Sequence, residues 1–170
     1  LNQMNMKSED SINIRLLTLD DVENWLRQCE ILSSESGENN IYFGPYSKYE
    51  PYPTDEIRKN TIKRWSKSID TPGWRRAFGI FDDDKIIGSS DIAAGDIPTN
   101  LHRVNLGIGV LKEYRNSGLG QKLIHFIIDW CKKDPGIFWI DLGVFSGNYK
   151  AKRVFEKIGF KKVGYTEDAW

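Results

Sequence analysis

The chain has 170 residues, of which 39% are hydrophobic and six are tryptophan, a composition typical of globular proteins. This length predicts a single domain, residues 1–170, large enough to bury a proper hydrophobic core. Lysine plus arginine and aspartate plus glutamate balance at 24 each, which argues against a nucleic-acid partner held mainly through phosphates. The sequence has neither a block of like charges nor an apolar run of bilayer length, so no membrane partner is expected.

Cysteine and histidine are scarce in this sequence. Cys29 and Cys131 stand alone on predicted helices, and only His102 and His125 could add imidazole ligands. Neither a disulfide framework nor a metal site is therefore expected. Charged residues interrupt the start of the chain, no signal peptide is recognisable, and residues 1–10 are predicted to be a loose tail. These features favour a cytoplasmic location.

The first half of the chain predicts one strand and two helices. Residues 12–17 alternate apolar and polar side chains, as in a half-buried strand. Thr18 and Asp21 then have the spacing of a helix N-cap. The helix that follows has an apolar face made of Val22, Trp25, Leu26 and Cys29. An irregular, aromatic-rich segment over residues 33–53 leads to a second helix that Thr54 can cap. The predicted buried face of this second helix consists of Ile57, Ile62, Trp65 and Ile69.

The second half predicts more strands. Residues 76–81 and 85–93 are predicted as two strands, joined by an aspartate-rich turn at residues 82–84 that indicates a hairpin. After a loop at residues 96–100, a strand over residues 102–111 leads into an amphipathic helix over residues 119–132. A buried strand is predicted at residues 137–144. A short helix then runs from Asn148 to a C-cap at Gly159, and residues 160–165 are predicted as the last strand.

A glycine-containing loop lies where the strand at residues 102–111 gives way to the long helix. Successive backbone N–H groups and the positive end of the helix dipole suit such a loop to hold a phosphate or pyrophosphate. The loop matches neither the P-loop, which needs Lys and Ser/Thr after its last glycine, nor the dinucleotide fingerprint, which needs a third glycine. The six residues of the loop are Arg115, Asn116, Ser117, Gly118, Leu119 and Gly120.

The strand before this loop contains two glycines, Gly107 and Gly109. Glycine inside a strand weakens it and often indicates a bulge or a close approach of another group to the backbone. A bulge would turn N–H and C=O groups away from the sheet and toward a ligand. The alternative is that both glycines only relieve packing.

These patterns resemble the GNAT family of N-acetyltransferases. Residues 115–120 match its Q/R-x-x-G-x-G/A signature, and Ile108 and Val110 lie on the strand that precedes it. Further along, Asn148, Phe155 and residues 159–160 match the family's N-x-x-A-x-x-x-Y/F…G-F segment. The resemblance implies an α/β fold in which helices flank both faces of a mixed, mostly antiparallel sheet, with the strands splayed at the cofactor cleft. It also implies an enzyme that depends on acetyl-coenzyme A.

The resemblance implies roles for several of these residues. Backbone groups of Ile108 and Val110 would bind the pantetheine arm and orient the acetyl carbonyl, and the N–H groups of residues 115–120 would bind the pyrophosphate. Asn148 would contact the cofactor, cap the short helix, or do both. Phe155 stands beside the cofactor, where many members have a tyrosine that protonates the leaving thiolate. Phenylalanine cannot donate a proton, so either water or another hydroxyl would do so, or the thiolate would leave unprotonated.

The implied reaction is attack of an amine on a thioester, which needs a base because only the neutral amine is nucleophilic. Some members place a glutamate near the start of the strand that precedes the glycine loop, whereas this chain has no carboxylate there. Three candidates stay open. His102 has a suitable titration range but could simply be exposed. Asp91 and Asp141 lie in otherwise apolar strands, where either could instead be a hydrogen-bonded aspartate at a sheet surface or edge.

The sequence leaves the acceptor and the assembly open. A small molecule or a peptide could supply the amine, and a homodimer is not decided. The aromatic segment at residues 42–52 either selects the acceptor or covers the core. The family usually has one more strand than this chain supplies, which suggests truncation or a strand from a partner chain. The alternative to an enzyme is a non-catalytic module that binds coenzyme A or acyl-coenzyme A.

Overall fold

The computed structural model describes residues 12–47, 49–133 and 136–167, so the predicted tail at residues 1–10 lies outside them. These residues form one five-stranded sheet in the order β1-β2-β3-β4-β5. The first four strands are antiparallel and β5 runs parallel to β4. The strands are β1 (Ile12–Leu16), β2 (Arg75–Asp82), β3 (Lys85–Ala94), β4 (Arg103–Val110) and β5 (Trp139–Asp141), and the α-helices are α1 (Val22–Ser34), α2 (Thr54–Trp65), α3 (Leu119–Lys133) and α4 (Tyr149–Ile158).

Helices cover both faces of the sheet, as expected for this fold class. On one face, Leu119, Leu123 and Ile127 form a stripe along α3 that packs on apolar side chains of β2, β3 and β4. On the other face, α1 and α2 pack on Ala77, Phe81 and Ile86, among other core residues. Side chains of a strand alternate between the two faces, so the even-numbered residues of β4 face α3 and the odd-numbered ones face α1 and α2.

Several local predictions are confirmed. The β2–β3 hairpin turns at Asp83, whose φ is +52°. Asn148 caps α4 by accepting a 3.1 Å hydrogen bond from the backbone N–H of Ala151. Gly159 ends the same helix with a φ of +112°. Each of these turns and caps is formed by a few adjacent residues, so it does not depend on what packs around it.

Two predicted strands are wrong. The buried strand expected at residues 137–144 contains only the three residues of β5, and Phe138 and Trp139 are 73% and 57% exposed. Residues 160–165 form no strand, and Val163 is 95% exposed. An apolar run becomes a strand only where a neighbouring strand supplies hydrogen-bond partners, and residue periodicity cannot reveal that neighbour.

The buried face of α2 also differs from the prediction. Ile62 is 43% exposed, whereas Thr61 is buried, so the helix is rotated by about one residue. The rotation follows from packing between helices, because the ring of Trp65 lies 5.5 Å from the ring of Trp25 on α1. Ile69 lies beyond the helix and packs against the core on the α3 side of the sheet.

The entry to α1 depends on one ion pair. Both terminal nitrogens of Arg15 donate 2.7 Å hydrogen bonds to the carboxylate of Asp21, which also accepts from the backbone N–H of Thr18. These contacts, chiefly the hydrogen bonds from Arg15, lower the pKa of Asp21 to about 2. The predicted capping pair of Thr18 and Asp21 is therefore confirmed, and Arg15 joins it to β1.

We expect Asp21→Asn to lower the free energy of unfolding at pH 7 by about 1–2 kcal/mol, because the hydrogen bonds to a charged acceptor are lost. The folded-state pKa lies below the unfolded value of about 3.9, so the contribution is complete above that value and disappears as pH falls toward 2. Urea unfolding at pH 7 and pH 3 should therefore show a smaller difference between wild type and variant at pH 3. The exposed neighbour Asp20→Asn is the control, and equal midpoints for Asp21→Asn and wild type at pH 7 would contradict the assignment.

Candidate active site

The candidate site begins where β5 leaves β4. The two strands pair only from Arg103 to Asn105, after which β4 has no neighbour on that side among the described residues. On its other side, the N–H of Leu111 donates a 2.9 Å hydrogen bond to the carbonyl of Ile87. Backbone groups alternate in direction along a strand, so those of Ile108 and Val110 point away from β3 and into the gap.

The glycines of β4 do not form a bulge, which was one of the two interpretations that the sequence left open. The β3–β4 register runs without a break from Gly88↔Val110 to Ala94↔Val104. A Cβ at Gly109 would lie 2.4 Å from Leu32 Cδ1 of α1, and one at Gly107 would lie 3.1 Å from Asp91 Oδ1. Close approach of neighbouring side chains therefore accounts for both glycines, and separation of β5, rather than a bulge, exposes the backbone of β4.

The glycine loop joins β4 to α3 as predicted. Asn116 and Gly118 have φ values of +62° and +81°, which turn the chain sharply before the helix. The first bond of the helix runs from the N–H of Lys122 to the carbonyl of Gly118. The N–H groups of residues 119–121 therefore precede the first intrahelical bond and are available, with the helix dipole, to an anion.

The side chain of Arg115 turns inward rather than toward the loop's open side. Its Nε donates a 2.7 Å hydrogen bond to the carbonyl of Val110, and its guanidinium pairs with Glu35 and lies over the ring of Phe43. Arg115 thus ties the loop to β4 and to the end of α1. In this arrangement the loop offers its backbone to a phosphate, and the Arg115 guanidinium is already engaged.

An open cleft of about 620 Å³ lies between the glycine loop and the start of α4. The sequence predicted three of the residues that line it, Arg115, Asn116 and Asn148, but not the two lysines and the tyrosine that also line it. Lysines beside a phosphate-holding loop were the available signal. The lining residues are Asn39, Ile41, Lys112, Arg115, Asn116, Gly147, Asn148, Tyr149 and Lys150.

The last helix contributes two of the predicted residues. Asn148 lines the cleft, and its side-chain oxygen caps α4. Phe155 is 8% exposed and packs edge-on against Phe160, with ring centroids 5.9 Å apart. Phe155 therefore holds the segment after α4 against the helix.

The structure places the three candidate bases at different distances from the gap. Asp91 stands opposite Gly107, next to the exposed backbone of Ile108, and pairs with Arg75 at 2.7 Å. Asp141 ends β5 at the point of separation and pairs with Arg103 at 3.1 Å. His102 is exposed at the opposite end of β4, roughly 20 Å from Ile108 along an extended strand.

The aromatic segment between α1 and α2 reaches both sides of this region. Tyr52 and Cys29 are hydrogen-bonded beside Arg75, and burial is the main cause that raises the pKa of each, to about 12 for Cys29. Both groups are therefore protonated at neutral pH. On the other side, the ring of Tyr42 lies 4.8 Å from that of Phe145, beyond β5, so the segment bridges the gap between the strands.

The described residues contain no group of three or more His, Cys, Asp or Glu side chains arranged to hold a metal ion. None of the helices in the described ranges is long and apolar enough to cross a membrane.

A family model described as the acetyltransferase (GNAT) family matches residues 19–160. The chain belongs to the GNAT family. The resemblance drawn from the glycine loop and the later Asn148 segment is thereby confirmed, together with the fold class. As a GNAT member the protein is an N-acetyltransferase that takes its acetyl group from acetyl-coenzyme A, and its acceptor is an amine.

Individual relatives agree with this assignment. The L-amino acid N-acetyltransferase AaaT of Escherichia coli (strain K12) is 28% identical over 115 residues, which cover 67% of this chain and 66% of that protein. An acetyltransferase of the GNAT family from Streptococcus pneumoniae has a TM-score of 0.75 at 23% identity, with 90% of this chain and 86% of that one covered. A predicted acetyltransferase from Clostridium acetobutylicum, solved with acetyl-CoA, has a TM-score of 0.67 at 16% identity, with 94% and 93% covered.

We expect Gly118→Ala to weaken binding of coenzyme A about tenfold, because alanine at a φ of +81° strains the turn that presents the loop's N–H groups. Gly164→Ala is the matched control, since an added Cβ there meets nothing within 4 Å and φ is not positive. Calorimetric titration with coenzyme A measures both variants. Equal affinity of Gly118→Ala and wild type for coenzyme A would show that the glycine loop does not bind the cofactor.

Proposed function

We propose that this protein acetylates the primary amine of a small molecule, with the thioester held in the gap between β4 and β5. The observation that carries this proposal is the early separation of β5 from β4, which directs the backbone groups of Ile108 and Val110 into the gap. The cleft at the end of the same gap leads to the glycine loop. A strand edge followed by an anion site suits a long ligand with an amide-containing arm and a pyrophosphate.

The residues present fit coenzyme A. The C=O of Ile108 and the N–H of Val110 would bind amides of the pantetheine arm. The N–H of Ile108 would face the acetyl carbonyl, and the carbonyl of Val110 stays with Arg115. Backbone N–H groups of residues 115–120 would bind the pyrophosphate, and the nearby lysines, Lys112 and Lys150, add positive charge for the phosphates. Asn148 would contact the arm with its amide nitrogen, because its oxygen caps α4. Phe155 would shape the same wall of the cleft from α4.

The reaction needs a proton acceptor for the amine, a hydrogen-bond donor for the carbonyl oxygen, and a path for the second proton of the nitrogen. The amine must lose a proton, and its nitrogen then attacks the carbonyl carbon, so that a C–N bond forms and the C–S bond breaks with its electron pair on sulfur. Negative charge that develops on the carbonyl oxygen needs a fixed donor, for which we propose the N–H of Ile108. The second proton of the nitrogen passes through water to the sulfur, since Phe155 cannot donate one.

Among the three candidate bases, the geometry favours Asp91. It lies one residue from Ile108 across the β3–β4 pair, whereas Asp141 stands opposite Asn105 and His102 lies at the far end of β4. Cys29 and Tyr52, which are protonated, act as donors in this neighbourhood rather than as bases. We therefore propose that Asp91 holds the acceptor amine and receives its first proton.

The named relative supports a small-molecule acceptor, because the Escherichia coli protein is named for acetylation of L-amino acids. We also propose a cytoplasmic location without nucleic acid or membrane as partner, and the balanced charge of 24 against 24 supports the first of these exclusions. A homodimer stays a prediction, which light scattering in solution would test.

Incubation of the protein with acetyl-coenzyme A and a panel of amines should release free thiol with at least one small amine. The panel contains amino acids, a polyamine, an aminoglycoside and a peptide with a free N-terminus. Mass spectrometry of the product should show one added acetyl group on the amine. Binding of coenzyme A without turnover of any amine would contradict the proposal and favour a module that only binds the cofactor.

Ile108→Pro tests the backbone donor. Proline removes an N–H that the β3–β4 ladder does not use, so the strand should persist while kcat/KM falls about a hundredfold. Ile108→Val, which keeps the N–H, is the control. Circular dichroism checks the fold of both variants, and full activity of a folded Ile108→Pro would exclude this donor.

A further inference from the structure

An ion pair of two partly exposed side chains, Arg75 and Asp91, lies beside the proposed reaction site on the face of the sheet that α1 and α2 cover; the region around this pair is called the recess. In the register of β2, β3 and β4, Asp91 stands opposite Gly107, and Arg75 stands opposite Ala93. Each charged side chain thus has a small residue as its cross-strand neighbour. Neither small residue therefore has a side chain long enough to cover the charged group opposite it.

The ion pair at the recess uses only part of its bonding capacity. Arg75 donates from Nε to Asp91 Oδ2 at 2.7 Å, and the side chains are 25% and 20% exposed. Within the described residues, neither the terminal nitrogens of Arg75 nor Oδ1 of Asp91 take part in a hydrogen bond. Oδ1 lies 3.1 Å from the position of a Cβ at Gly107. Free donors and a free acceptor therefore lie side by side in one recess.

The guanidinium of Arg75 is held in place by residues of α1 and of the segment between α1 and α2. It lies 5.5 Å from the ring of Trp25 on α1, and Tyr52 and Cys29 lie beside it. Tyr52 in turn packs edge-on against Tyr46, with ring centroids 5.4 Å apart. The recess thus has a fixed cation, a fixed anion and an aromatic wall.

The charge balance of the recess disfavours a polycation. Arg75 and Asp91 neutralise each other, and a second guanidinium, Arg64, lies close enough for Arg75 to lower its pKa, although burial is the main cause. Arg64 is itself bound to the carbonyl of Gly73 at 2.9 Å. A ligand with several ammonium groups needs several carboxylates, whereas this recess offers one free carboxylate oxygen next to a guanidinium.

We propose that the acceptor is an α-amino acid, whose carboxylate binds the terminal nitrogens of Arg75 and whose amino group is held by Oδ1 of Asp91. The side chain of the amino acid packs against Tyr46 and Tyr52. This inference rests on the proposed function, because it names the acceptor of the same site. Arg75 is then the residue that selects the acceptor, since it binds a group that takes no part in bond formation.

Pairs of acceptors that differ only by a carboxylate provide the first test. L-phenylalanine and phenethylamine form one pair, and L-methionine and 3-(methylthio)propylamine form another. Thiol release should be at least about a hundredfold more efficient, as kcat/KM, for the amino acid of each pair. Equal efficiency within both pairs would overturn the proposal, and faster turnover of a polyamine or an aminoglycoside would overturn it in favour of a cationic acceptor.

Substitution of the ion pair provides the second test. Arg75→Gln should raise KM for L-phenylalanine about ten- to a hundredfold and leave KM for acetyl-coenzyme A unchanged. The ratio of kcat/KM for L-phenylalanine to kcat/KM for phenethylamine should therefore fall at least about tenfold, and any effect of the substitution that both amines share cancels in this ratio. Arg58→Gln, the same change in an exposed ion pair on α2, is the control. Equal loss on both amines would overturn the role of Arg75.

A half-buried Asp91 left without its partner could prevent folding of Arg75→Gln. Arg75→Lys keeps a cation beside Asp91 and should also lose the preference for the amino acid, because an ammonium group cannot bind a carboxylate with two fixed nitrogens. In the wild-type protein with coenzyme A bound, calorimetry should detect L-phenylalanine but not phenethylamine, and the reverse result would overturn the inference without any variant. If the proposed function itself were wrong, no amine would cause thiol release, which distinguishes that failure from failure of the amino-acid proposal.

Discussion

The separation of β5 from β4 is the constraint on which the rest of the site depends. Backbone groups inside a sheet are normally hydrogen-bonded to neighbouring strands. β4 pairs with β3 from Val104 to Val110 but with β5 only as far as Asn105. Beyond that point, Ile108 and Val110 have hydrogen-bonding groups that a ligand can use. A ligand in this gap behaves as a short extra strand, which explains why an extended amide-containing arm suits it better than a compact one.

Packing from the other face of the sheet holds this edge in place. Leu32 of α1 approaches β4 so closely that only glycine fits at position 109, and Gln28 donates to the carbonyl of the same glycine at 3.3 Å. The end of α1 reaches further, because Glu35 pairs with Arg115 and Glu38 pairs with Lys112 at 2.8 Å. The strand edge and the glycine loop are therefore positioned by one helix. The proposed donor site at the loop and the proposed acceptor site beside Trp25 and Arg75 share this support, because both lie along α1.

Much of the donor site could be predicted from the sequence. The positive φ values at Asn116 and Gly118, the start of α3 and the caps at Asn148 and Gly159 are properties of a few adjacent residues. The acceptor side could not be predicted in the same way. Asp91 was one of three open candidates, and Arg75 was not identified, because their pairing joins two strands at 16 residues' separation. The ion pair between Arg115 and Glu35 joins residues that are 80 apart in the sequence, so the sequence could not predict it either.

The sequence by itself determined the elements that local chemistry specifies: the hairpin at Asp83, the glycine loop, and the amphipathic stripe of α3. The tertiary structure alone decided how far β5 extends, which face of α2 is buried, and which charged groups meet on the α1 side of the sheet. The reason is physical. A turn or a cap is satisfied by its own neighbours, whereas a strand edge, a helix face or an ion pair acquires its partner from a distant part of the chain.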